Sequence, residues 1–295
     1  MRAGQVLGVR IILNDFFLLA LVAYALLGFL PEALTFFGAA LLHETAHVVA
    51  ARAYGLRVQE MEILPFGGVA RIEDLDLTSL DPQVEAAVAL AGPAENMILA
   101  AAAWLLSGYG IWDVSLAGLF FRANTTLALF NLLPALPLDG GRLLRSALSQ
   151  RLPWRQATEI ATRLGQALGV LIVLLALLLC QHHVFALSAA LAGVFIWSAA
   201  ESERRSSSLV LIRYLVHKQA GIKKGQVLPG QVLVVAANSY LKEVVKELTT
   251  GRYHLIWVLD REGRLLGTLG EGEFSAALFS LGPNSTFQEA LSRRC

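Results

Sequence analysis

Apolar stretches of about twenty residues recur along this chain, and they limit its fold more than any other feature. A helix of that length crosses roughly 30 Å of hydrocarbon. Inside hydrocarbon every backbone N–H and C=O must find a partner within the protein, and a helix meets that demand alone. The composition agrees: 56% of residues are hydrophobic, only 16% are charged, and the mean hydropathy is +0.58. Ordinary globular domains are about 25% charged. The net charge of +1 gives no argument for nucleic acid as a partner. Two cysteines, Cys180 and Cys295, suit neither a disulfide framework nor a thiolate zinc site. The first apolar run is long, carries Asn14 and Asp15, and lacks a small-residue cleavage site, so it does not read as a removable signal peptide.

The runs place spans at 11–30, 33–54, 83–106, 115–136, 164–180 and 184–199. Arg2 and Arg10, then Arg52, Arg57 and Arg71, then Arg142, Arg145, Arg151 and Arg155, then Arg204 and Arg205, all fall on one side. The opposite turns, near Pro31, 108–113 and 181–183, carry no Lys or Arg. The positive-inside rule therefore puts both termini in the cytoplasm. The expectation is an all-α polytopic membrane bundle of about six transmembrane helices over residues 1–200.

Within the second run lies His43-Glu44-Thr45-Ala46-His47, an H-E-x-x-H motif. On a helix its two imidazoles project from one face and can reach one zinc ion, with Glu44 beside it as general base. Ionisable groups at membrane depth are costly and by default functional. Catalytic zinc commonly takes a third protein ligand and leaves one position open. Asp139 is the first candidate. It sits where Pro134, Pro137, Gly140 and Gly141 break a helix, and a broken backbone at that depth needs a protein or water-filled lining. His182 and His183 are alternatives, but they fall in a turn on the other side. Asn131 is a candidate donor to the oxyanion.

Other polar features remain. Residues 55–81 alternate around Pro65-Phe66-Gly67-Gly68 and suggest a β-hairpin, whose edge could take an extended peptide, or else a plain loop. Glu95, near the middle of the third run, forms a candidate ion pair with Arg122 in the fourth, the alternative being that Arg122 snorkels to the nearer surface. After Arg204-Arg205 the composition shifts. Residues 201–224 read as a basic linker and 225–295 as a small soluble domain of order β-α-β-β-α, with Ser239 as a helix N-cap. About 70 residues make a marginal core, so this domain is expected to form a homo-oligomer or to pair with another protein.

H-E-x-x-H in an early span, Gly92-Pro93-x-x-Asn96, and Asn-Leu-Leu-Pro-x-x-Pro-Leu-Asp-Gly-Gly over 131–141 together resemble the site-2 protease family of intramembrane zinc metalloproteases. The resemblance spans most of residues 1–200. It implies zinc held by His43, His47 and Asp139, Glu44 as catalytic base, and Asn131 and Pro137 lining the site. The tail resembles a single CBS domain, which implies ATP or another adenine nucleotide as a ligand. The sporulation branch of the family implies a sigma-factor precursor, pro-sigma-K, as substrate. That branch also implies inhibitory membrane proteins as partners and a location in the mother-cell membrane around the forespore. Two residues depart from the pattern: Glu95 stands where an apolar residue is expected, and Glu273 where an Asp is common. A zinc transporter or sensor and a non-catalytic CBS-gated scaffold are the competing readings. The transporter would need polar residues threading several spans, whereas they cluster around one site, and the scaffold would not need Glu44.

Overall fold

The computed structural model describes residues 2–6, 9–13, 15–56, 58–64, 67–72, 81–179, 186–223, 229–249 and 252–293. Asn14, Pro65, Phe66, Glu73, Cys180, His182, His183 and Cys295 lie outside them.

Two strands open the chain, β1 (Arg2–Val6) and β2 (Val9–Leu13), followed by helix α1 (Asp15–Leu26). The expected first span is therefore not one helix. Ile11 to Leu13 are extended, and the helix begins only at Asp15. The reason is local. Val9 and the Ile11-Ile12 pair favour a pleated strand, and the strand is taken into a sheet. Twelve residues of α1 rise about 18 Å, short of the hydrocarbon thickness.

Helix α2 (Leu30–Ala53) carries the histidine motif. Strands β3 (Val58–Leu64) and β4 (Gly67–Ile72) follow as the expected antiparallel pair, with Leu64 opposite Gly67. The sheet order is β1-β2-β3-β4, with β2 and β3 parallel. Among the described residues the hairpin thus offers only β4 as an edge, because β3 is paired on both sides.

Helices α3 (Pro82–Gly108) and α4 (Val114–Asn131) come next, then α5 (Asp139–Ser149), α6 (Trp154–Leu179) and α7 (Ala186–Lys223). Asp81 and Asp113 start α3 and α4 by accepting from backbone N–H groups of the first turn. Among the described residues three helices, α2, α3 and α6, are long and apolar enough to cross a membrane. The expected fifth span begins earlier than its apolar core, at Trp154. The sixth does not stop at 199 but continues as α7 through the stretch expected to be a linker. No helix breaker stands between Ser198 and Lys223 except Gly221.

Burial in this bundle runs opposite to that of a water-soluble one. Ala39, Ala51, Ala89, Ala103 and Ala128 are buried between helices, while Leu171, Leu174, Leu175 and Leu178 on α6 are exposed. Small residues let helix backbones approach where no hydrophobic effect drives them together, and large apolar ones face lipid. The expected Glu95–Arg122 pair does not form among the described residues. Glu95 instead accepts from the Asn96 amide at 3.1 Å, and Arg122 is exposed.

The C-terminal unit consists of β5 (Gly230–Ala236), α8 (Leu241–Glu247), β6 (Tyr253–Leu259), β7 (Leu265–Gly270), α9 (Glu271–Leu281) and α10 (Phe287–Ser292). Its sheet order is β5-β6-β7, parallel then antiparallel, so the expected order of elements holds. Ser239 is not the cap, however. Tyr240 takes the N-cap position of α8, and no side chain bonds there. Leu241, Leu248, Ile256, Phe274 and Phe287 form the core, with the two Phe rings stacked 6.1 Å apart. Trp154, at the start of α6, is part of the same cluster. Burying each such ring contributes about 1.5–3 kcal/mol.

The segment between α4 and α5 is fixed by α6. Leu136 N–H donates to Ala161 O at 3.0 Å, and Gly165 passes under the Leu136 carbonyl. A Cβ at Gly165 would stand 1.7 Å from that oxygen. Gly165→Ala is therefore expected to lower stability by at least about 1–3 kcal/mol, read as a lower melting temperature of the detergent-solubilised protein.

Candidate metal centre and active site

His43 and His47 lie one turn apart on α2, and both are buried. Asp139 is the first residue of α5, where the N-terminal end of the helix dipole favours a carboxylate. The two prolines before it end α4 and turn the chain so that α5 starts against α2. His43 Nε2, His47 Nε2 and Asp139 Oδ2 form a triangle with each side 3.1 Å.

Hydrogen bonds fix which ring nitrogen carries each proton. Asn124 donates through Nδ2 to Phe120 O at 2.9 Å, so its Oδ1 faces Asn96 and accepts from Asn96 Nδ2 at 2.9 Å. Asn96 Oδ1 is then left for His43 Nδ1, 2.6 Å away, which must be the donor. His47 Nδ1 donates to the Val88 carbonyl at 2.7 Å. Both Nε2 atoms therefore present lone pairs toward the Asp139 carboxylate oxygen. Three lone pairs at that separation repel one another unless a cation lies among them. Tetrahedral zinc with bonds of about 2.0–2.1 Å sets its ligand atoms about 3.3 Å apart. The donor set and its spacing thus fit zinc.

Helix α3 reaches this centre through Gly92. A Cβ there would lie 2.5 Å from His47 Nε2 and 2.7 Å from His43 Nε2. Any other residue would occupy the space of the ion or push α3 away. Gly140 and Gly141 do the same for α5, since a Cβ on either would come within 2.2 Å of backbone atoms of the preceding segment.

The triangle opens on a cavity of about 1060 Å³. Glu44 lines it beside the two histidines, as the motif requires. Asn131 and Pro137 also line it, but Asn131 makes no hydrogen bond with the triangle among the described residues. Arg142 and Glu203 stand at its polar part, and Ala189, Ala192 and Ala199 give α7 a small-residue face on it.

The structure brings His43, His47 and Asp139 together and places Glu44 on the wall of the same cavity. Sequence reasoning singled out Asn96 without a role. It also missed the Val88 carbonyl, for which a sequence carries no signal because every residue has one. Glu95, the expected anomaly, adds one more acceptor to the Asn96 amide.

Two histidines and an aspartate around one cation position, with a glutamate beside them in an apolar helix bundle, define a zinc metalloprotease. The chain belongs to peptidase family M50, the site-2 proteases, whose family model matches residues 31–114 and 112–172. It is 26% identical over 283 residues to a zinc metalloprotease of Methanocaldococcus jannaschii, covering 92% of this chain and 78% of that one. It is 29% identical over 254 residues to stage IV sporulation protein FB of Bacillus subtilis, covering 85% of each. The solved site-2 protease from Methanocaldococcus jannaschii superposes with a TM-score of 0.57 at 28% identity, over 69% of this chain and 94% of that one.

Two substitutions examine the centre. Asn96→Ala removes the acceptor that holds His43 and is expected to weaken zinc binding about 10–100-fold, measured by competition with a chelator. Gly92→Ala is expected to weaken it at least as much. Zinc affinities equal to that of the unaltered protein would contradict this account of the site.

Proposed function

We propose that this chain is an intramembrane protease that cleaves a membrane-associated protein substrate in regulated intramembrane proteolysis. The observation that carries the reading is the convergence of both Nε2 lone pairs and Asp139 Oδ2 beside Glu44, at the wall of a cavity within the bundle.

In this reading His43, His47 and Asp139 hold zinc. When bound, zinc acidifies a water and polarises the scissile carbonyl. Glu44 accepts the proton of the attacking water and delivers it to the leaving amine. Asn131, on the cavity wall, is the candidate donor to the tetrahedral oxyanion. The apolar lining accepts an unfolded stretch of a membrane segment, and Arg142 and Glu203 mark the end from which water enters. The bundle crosses the membrane about six times, counting the 12-residue α1 as a short first crossing, with both termini cytoplasmic as the distribution of Lys and Arg indicates.

The likeness to stage IV sporulation protein FB supports a role in sporulation. In that role the proposed substrate is pro-sigma-K, the proposed location the mother-cell membrane around the forespore, and the proposed partners inhibitory membrane proteins. The β-α-β-β-α unit is CBS-like, and an adenine nucleotide is its candidate ligand. Glu273 does not speak for that ligand: its carboxylate accepts from Gly270 N–H at 2.9 Å and caps α9.

Glu44→Gln tests the reading. The variant is expected to keep its zinc, measured by elemental analysis, and to lose cleavage of a membrane-tethered substrate by about 100-fold or more. Persistent cleavage by a zinc-loaded Glu44→Gln protein would remove the mechanism. A native protein that binds zinc and cleaves no membrane-tethered substrate would favour a transporter or scaffold.

A further inference from the structure

Arg145, on the same helix as Asp139, is 5% exposed and grips two other helices. Its Nε donates to Glu85 Oε1 at 2.9 Å, and its Nη2 reaches the same oxygen. Its Nη1 donates to Glu203 Oε1 at 2.7 Å. The Trp154 ring covers the guanidinium, whose carbon lies 4.5 Å from the ring centroid. Next to it, Ser146 Oγ donates to Pro82 O. A charge this deeply buried stays only where its partners are well placed, so the arrangement fixes α5 against the first turns of α3.

The location gives that contact its meaning. Glu85 precedes Val88 by three residues on α3, and the Val88 carbonyl orients His47. Gly92, against both imidazoles, follows one turn later. Arg145 therefore ties the helix that supplies Asp139 to the segment that orients His47. Through Glu203 it also holds α7, a wall of the catalytic cavity. Trp154 belongs at the same time to the core of the C-terminal unit, so that unit reaches the metal helix through one ring. None of these groups touches the zinc position.

We propose that Arg145 is a positioning residue for the metal centre: bound to Glu85 and Glu203 beneath Trp154, it sets the distance between Asp139 and the two histidines. The proposal rests on the reading that His43, His47 and Asp139 hold zinc. Lysine at this position keeps the charge but cannot present a planar fork to two carboxylates.

The test uses the full chain in detergent. Zinc affinity is measured by chelator competition, and the melting temperature of the zinc-free protein is measured alongside. Arg145→Lys and Glu85→Gln are each expected to weaken zinc binding about 10–100-fold, with the zinc-free melting temperature little changed. The double variant is expected to be no worse than either single one, since both break the same contact. Arg163→Lys, in the exposed pair with Glu159, is the control and is expected to bind zinc normally. Affinities within threefold of the unaltered protein overturn the proposal. So does a loss of affinity that only tracks a loss of melting temperature, because that is a structural role. Should Arg145→Lys not fold, Glu203→Gln decides, since Glu203 is 38% exposed at its side chain: weaker zinc binding supports the proposal, and unchanged binding overturns it. An unaltered protein that binds no zinc defeats the metal reading itself, whereas variants that match a zinc-binding parent defeat only the role of Arg145.

Discussion

Three lone pairs, from His43, His47 and Asp139, are held 3.1 Å apart within a bundle whose outer surface is leucine-rich. Such a cluster is unfavourable without a cation, and the rest of the structure can be understood as what is needed to hold it. Each imidazole is oriented by an acceptor on Nδ1, one an amide side chain and the other a main-chain carbonyl. The amide of Asn96 is in turn oriented by Asn124, whose own amide is satisfied by its helix. The chain of donors runs in one direction and ends on the backbone. That leaves His43 a single tautomer, and a metal ligand must be delivered in the correct one.

Close approach is the second requirement. Gly92 brings α3 onto the imidazoles, Gly140 and Gly141 allow α5 to start beneath the loop that precedes it, and Gly165 lets α6 pass the Leu136 carbonyl. These glycines share a steric reason rather than a conformational one, since none of them has a positive φ. The alanines between helices serve the same end. The large side chains that would drive packing in water are turned outward, where lipid is as apolar as they are.

Much of this was legible in the residues. H-E-x-x-H specifies its own geometry, because helical periodicity puts both histidines on one face. Asp139 stood out as a carboxylate in a segment that could not continue as a helix. The strand and helix order of the C-terminal unit followed from turns such as Asp260 to Arg264 and from apolar alternation. What was misread lay at boundaries or in pairings. Ile11 to Leu13 are as suited to a strand as to a membrane helix, and only the pairing of their strand with β1 and β3 decides between them. Glu95 and Arg122 looked like partners because both are ionisable. The amide next to Glu95 is nearer, and Arg122 faces outward. Ser239 had the chemistry of a cap, yet the chain turns into the helix one residue later.

By itself the sequence determined the kind of solvent this protein is built for, the helix that carries the histidines, and the identity of its glutamate and its distant carboxylate. Those properties depend on composition and on spacing within one segment. Only the tertiary structure decided that Asn96 and the Val88 carbonyl orient the histidines, that Gly92 is the point of closest approach, and that Arg145 joins Glu85, Glu203 and Trp154. Apart from the Arg145–Trp154 stacking, these are contacts between segments far apart in the chain. Their partners are set by which helix faces meet, and no local period encodes that.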